Sequence, residues 1–290
     1  VNGRVLAAIV CGLVLTGCGK DAATQPEPAQ AATEDTGTSF DEATAGVVTG
    51  RVVWQGEPPR VPPYLSPVKP LSESAPGRGL HQWPNVCAPL VDASGGVGHA
   101  VVYLRGVDAH KAKPWDLPPV RVELDDYQVH VRQGDAVGRS GFVRCGSQVP
   151  FVSKQAVFHS LQGRGAAWFA LPLADADREQ VRTLSRPGVV ELSSGAGYYW
   201  MRGYLFVLDH PYAAETDEHG YFTLWGVPPG RYELVVWHPN WQEASHSRDA
   251  DTCQICRIVL QPPLEVIQSI ELGPRETRAL TITLPASRRP

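Results

Sequence analysis

The chain has little of what marks an enzyme or a nucleic-acid binder. It contains no Gly-x-Ser-x-Gly elbow, no His-Glu-x-x-His pair and no phosphate-binding glycine loop. Its 26 basic and 30 acidic residues nearly cancel, and the bases are scattered. No stripe is left to follow a phosphate backbone, so no nucleic-acid partner is expected. Helical periodicity is almost missing; Asp175 to Arg182 is the best stretch, at one or two turns. Methionine occurs once, at Met201. Long apolar runs are lacking too, since Val5 to Leu15 is too short to span a bilayer as a stable helix.

That short run follows Arg4 and has the form of an export signal. It ends in Leu15-Thr16-Gly17-Cys18, which resembles the lipobox of bacterial lipoproteins. The resemblance implies a signal peptide over 1–17, cleavage before Cys18, and an acyl anchor on that cysteine. Gly19, where aspartate would favour inner-membrane retention, points to the outer membrane of the cell envelope. Residues 18–45 read as a disordered tether. Ala, Thr, Gln, Pro and acid dominate there, with Lys20 the lone base and Phe40 the lone large apolar residue.

What is abundant in the remainder is strand punctuation. The 28 glycines and 26 prolines break the chain into short alternating segments. Val120, Val122 and Leu124 alternate with Arg121 and Glu123; Phe222 and Leu224 alternate with Tyr221, Thr223 and Trp225. Tyr232, Leu234 and Val236 form another such run after the Val227-Pro-Pro-Gly230 turn. Many short strands with almost no helix predict an all-β architecture of Greek-key β-sandwiches. The proline-rich stretch 60–89 reads as a long surface loop.

Two resemblances sharpen this reading. Thr216, Asp217, Gly220, Phe222 and Leu224, followed by Pro228, Pro229, Gly230, Tyr232 and Leu234, match the signature of carboxypeptidase regulatory-like domains, a prealbumin-like sandwich. Val47 to Trp54 resembles the opening strand of the same module. Residues 46–119 and 209–286 would then supply its two parts, around a domain at 120–208. That middle part resembles a cupredoxin. Trp200, Met201, Gly203 and Tyr204 fit the end of its ligand loop, and His159 fits the early histidine ligand. Gly195 stands where the cysteine would be, and Tyr198 where the second histidine would be. Blue copper requires two imidazoles and a thiolate; a thioether cannot replace them. His159, Gly195, Tyr198 and Met201 are thus expected to mark a vestigial metal site, with no cofactor bound.

Of the six cysteines, Cys11 falls in the signal segment and Cys18 is set aside for lipidation, so Cys87, Cys145, Cys253 and Cys256 remain. Four cysteines allow three pairings. An exported protein meets an oxidising compartment, and the preferred pairing is Cys87–Cys145 with Cys253–Cys256. The first bridge would contribute roughly 4 kcal/mol in the chain-entropy model. Cys253-Gln-Ile-Cys256 with His238 and His246 also makes an incomplete zinc-like inventory. Five aromatics, Tyr198, Tyr199, Trp225, Trp237 and Trp241, are dense enough to offer ligand-stacking surfaces if exposed, or core if a second layer covers them. His210, before Pro211, reads as structural, because no nucleophile accompanies it.

The expected function is a lipid-anchored, non-catalytic binding or scaffold protein of the cell envelope, with an envelope protein or glycan as partner. A metal or redox protein and a carbohydrate-binding module are the alternatives. A sugar-active enzyme would need paired carboxylates across a cleft. Asp125-Asp126 and Asp175/Asp177 are the nearest clusters, and they sit in turns.

Overall fold

The computed structural model describes residues 39–71 and 79–285. The signal segment, Cys18 and most of the tether lie outside the described residues. No α-helix occurs among those described. The helical expectation at 175–182 fails: the chain turns at 176–177 and enters the strand Gln180–Thr183. Val181 and Arg182 there pair with Pro150 and Val149, so cross-strand bonding overrides a weak local preference.

Among the described residues, four larger β-sheets stack with three cores between them, besides three two-stranded sheets. The outermost is three-stranded, with Gly46–Trp54 between Tyr221–Val227, antiparallel, and Thr277–Leu284, parallel. Val48, Val52, Phe222, Leu224 and Ile282 point inward from it. They meet Val102, Leu104, Leu234, Val236 and Ile270 of the second sheet. The second sheet runs Ala213–Glu215, Val101–Arg105, Gly230–His238, Leu264–Leu272. The third runs Ser140–Arg144, Arg202–Leu208, Gly188–Ser194, His159–Gly165, Phe169–Leu173. The fourth runs Gln180–Thr183, Gln148–Ser153, Val120–Asp125, Gln128–Gln133, Ala136–Gly138.

The middle two sheets are buried on both faces, and their central strands show it in composition. Arg202–Leu208 is buried at every residue. Leu205 and Val207 enter the core shared with the fourth sheet, whereas Tyr204, Phe206 and Leu208 face the second sheet. Val101, Tyr103, Val235 and Trp237 answer from that sheet. Trp237 packs edge-on against Tyr204 and Phe206, with ring centroids 4.9 and 5.1 Å apart. A strand covered on both sides needs apolar residues at odd and even positions alike, hence the unbroken run Tyr204-Leu-Phe-Val-Leu208.

The turns follow their residues. Asp217 Oδ1 accepts from the backbone N–H of His219 and Tyr221, at 2.9 and 2.8 Å. Gly220 takes φ 83°, and a Cβ there would strike the Val52 carbonyl. Pro228 offers its carbonyl to the Tyr232 hydroxyl at 2.8 Å.

The proline-rich stretch is more than a surface loop. Tyr64–Ser66 pairs with His81–Trp83, and Trp83 is buried in the core of the third and fourth sheets. Its indole N–H donates to the Val68 carbonyl at 3.0 Å. Prolines keep most of its described residues irregular, but a large apolar ring still finds its way inside.

Candidate functional site

His159 opens the strand His159–Gly165 and is buried. The Gln155 side-chain amide donates to its Nε2 at 2.5 Å, while Gln155 Oε1 accepts the Tyr127 N–H at 3.2 Å. Nδ1 has no partner. Rings close the rest of its surroundings, with Tyr198 at 5.3 Å and Tyr127 at 5.8 Å between centroids. Burial lowers its pKa to about 4, so the imidazole is neutral. Met201 lies in the same core, its N–H bonded to the Tyr198 carbonyl at 3.0 Å.

Gly195 does not belong to this cluster. Its N–H donates to the Ser160 carbonyl at 2.6 Å, and a Cβ built on it would overlap the Gln162 amide and lie 3.0 Å from Ser160 Oγ. Ser160 and Gln162 alternate to the opposite face of their strand from His159 and Leu161. A side chain at 195 would therefore point away from the imidazole. With one imidazole, one thioether and a phenol in place of the second imidazole, the donor set does not fit type-1 copper.

All four described cysteines are free thiols. The preferred Cys87–Cys145 bridge is corrected by geometry. Cys87 Sγ lies 3.3 Å from the Tyr204 hydroxyl, whereas the Cys145 N–H bonds to Leu208. Four residues of strand separate those anchor points, roughly 13 Å, against a Cα separation below about 7 Å for a disulfide. Burial pushes both thiols up in pKa, and Asp209 adds to the effect at Cys145. The Cys253–Cys256 bridge is not formed either. Cys253 is exposed at φ 56°, and Cys256 Sγ contacts the Ser247 carbonyl at 3.4 Å. Nor does the zinc-like inventory assemble. His246 pairs with Glu243, His238 donates Nδ1–H to the Pro239 carbonyl, and no group of three metal-ligating side chains occurs among the described residues.

The five aromatics separate. Trp237 is sealed between the second and third sheets, Tyr199 is buried, and Trp241 packs on Trp54 at 5.6 Å. Tyr198 is half-buried beside His159. Trp225 is 64% exposed and shares the outer face of the first sheet with Tyr221, 54% exposed. His210 stacks on Tyr212 and accepts its N–H, a structural arrangement.

Sequence reasoning missed a cleft of about 290 Å³ at the junction of the second, third and fourth sheets. Its lining includes His99, His130, Arg139, Tyr204, Glu215 and His238, with an apolar wall from Val86, Leu90 and Val137. His99 sits at φ 60°, an uncommon conformation for a side-chain-bearing residue, and binds Glu215 Oε1 at 2.5 Å. Glu215 is the chief reason its pKa is raised. Burial lowers His238 to about 4 and also lowers His130. Arg139 bends between Ala136–Gly138 and Ser140–Arg144 and offers its carbonyl to the Tyr204 N–H at 2.7 Å. Its guanidinium makes no hydrogen bond or ion pair with any described residue, and burial lowers its pKa. These residues are scattered over 86–238, so no local motif announces them.

No protein-family model matches the chain, and no curated protein matches it. Solved structures overlap part of it. A Cu-containing nitrite reductase (NirK) from Thermus scotoductus SA-01 overlaps at 17% identity over 36% of this chain and 25% of its own, with a TM-score of 0.27. A reduced Cu(I) form of an amicyanin mutant overlaps at 14% identity over 37% of this chain and 98% of its own, TM-score 0.26. A purple cupredoxin from Nitrosopumilus maritimus overlaps at 15% identity over 30% and 98%, TM-score 0.24. Overlaps this partial assign no copper site to this chain.

Proposed function

We propose that this chain is a non-catalytic binding protein of the bacterial cell envelope, tethered through a lipidated Cys18, with a cupredoxin-like middle sandwich that holds no copper. One observation carries the copper-free part: the side-chain direction at Gly195 leads away from His159, and the Tyr198 ring packs beside that imidazole. The junction cleft is the binding element, since it combines an apolar wall with convergent polar groups. The test is metal content of the full chain expressed in an export-competent host, followed by Cu(II) titration. The expected result is no stoichiometric copper and no intense visible band; a blue protein with one copper per chain overturns the reading.

A second reading, glycan binding, is favoured by the exposure of Trp225 and Tyr221 on one sheet face. Flat rings on a strand present stacking surfaces for sugars. Co-sedimentation with purified peptidoglycan tests it, the double substitution Tyr221→Ala, Trp225→Ala being expected to abolish pelleting. Equal pelleting of both proteins excludes this face.

A further inference from the structure

The cleft has an electrostatic imbalance. Glu215 is its carboxylate, and that group is engaged by His99. His130 and His238 are held neutral by burial. Arg139 is left as a guanidinium with no carboxylate, carbonyl or hydroxyl against it among the described residues. Partly desolvated cations are normally paired, because leaving water without compensation is costly. Cys87 and Tyr204 are the polar groups closest to it electrostatically, and burial keeps both protonated. A cation is a poor occupant here, since Arg139 repels it and the histidines do not converge on a metal position. An anion suits the site, and a planar one suits a guanidinium fork best. The rest of the lining limits its body. Leu90 and Val137 are about half exposed at the mouth, at 50% and 49%, with Val86 beside them. At about 290 Å³ the space falls just below the range for drug-sized ligands.

We infer that the junction cleft binds a small monocarboxylate, its carboxylate on Arg139 and its apolar body between Val86, Leu90 and Val137. This rests on the binding role proposed for the cleft and names its ligand class. Binding relieves the unpaired guanidinium and covers the two exposed aliphatic side chains at once. Neutral His238 and the Ser140 hydroxyl are positioned to meet further polar atoms of the ligand.

Benzoate, benzamide and inorganic phosphate serve as probes, titrated calorimetrically into the full chain at concentrations up to about 10 mM, which covers the weak end of specific binding. Benzoate is expected to bind saturably, with benzamide at least about tenfold weaker. Arg139→Gln is expected to weaken benzoate by about tenfold or more while its melting temperature stays that of the parent. Val137→Trp, a substitution at an exposed position, fills the mouth and is expected to block benzoate even if Arg139→Gln fails to fold. No benzoate binding, equal binding of benzoate and benzamide, phosphate binding in place of benzoate, or undiminished binding by either folded variant overturns the inference. Each of these outcomes is independent of metal content, so the copper-free reading stands or falls separately.

Discussion

Trp83 lies flat on Trp200, with ring centroids 4.9 Å apart and planes 9° from parallel. Trp200 in turn donates its indole N–H to the Tyr127 carbonyl at 3.0 Å. The proline-rich segment is thus locked onto the loop that contains Tyr198 and Met201. Trp83→Ala is expected to cost about 3–5 kcal/mol, the usual range for emptying a buried aromatic site. Urea unfolding measures it, and a loss under about 1 kcal/mol would mean the segment packs elsewhere.

The thiols should differ in reactivity. Cys253 is exposed, whereas Cys87 is buried and held protonated. Alkylation of the native protein followed by mass spectrometry should label Cys253 first and Cys87 only on unfolding. A peptide linking Cys87 to Cys145 would contradict the strand geometry.

Acid should destabilise the fold before the carboxylates titrate. His159 and His238 have folded pKa values lowered from 6.5 to about 4, by burial in both cases. The groups facing them are Gln155, Tyr127 and Tyr198 for the first, and Pro239 and His99 for the second. Between those pH values the unfolded chain binds protons that the folded chain refuses, so stability falls as pH drops from about 6.5 to about 4. Each imidazole contributes about 3 kcal/mol over that window. His238→Gln should remove one imidazole's share of the slope in a series of urea midpoints, while His159, His130 and His210, also lowered by burial, keep the rest. A flat series would show that both rings are solvated.

Gly195 gives a test of side-chain direction. Gly195→Ala places a methyl group against the Gln162 amide, which also accepts from Arg164 at 2.9 Å. A flexible amide can yield, so a loss of about 1 kcal/mol is expected. Gly195→Cys should be no better at taking up Cu(II) than the parent, because its sulfur would stand on the Gln162 face. Uptake of copper by that variant would place position 195 beside His159 after all.

Much of the fold was legible in the residues. Alternation marks Val120–Asp125 and Tyr221–Val227, and Asp217 with Gly220 marks the turn between strands. The two-faced strand Arg202–Leu208 is apolar throughout most of its length because both its faces are covered. The candidate site was less legible. His159 and Met201 do fall in one core, but Gly195 turns out to face the other side of the sheet. Spacing along a loop cannot show that, since the face a residue takes depends on the strand it pairs with. The 175–182 stretch misled for a similar reason, as its partner strand lies elsewhere in the chain.

Sequence alone determined the all-β character, the turns, and the lack of any cysteine or histidine between Leu192 and Trp200. Only the tertiary structure decided that Trp237 is sealed while Trp225 stays wet, although both lie on the faces opposite the core of their strands. It alone brought His99, Arg139, Glu215 and His238 to one cleft. Periodicity is a local property and gives each side chain a face; whether that face meets water or another sheet depends on contacts between segments far apart in the chain.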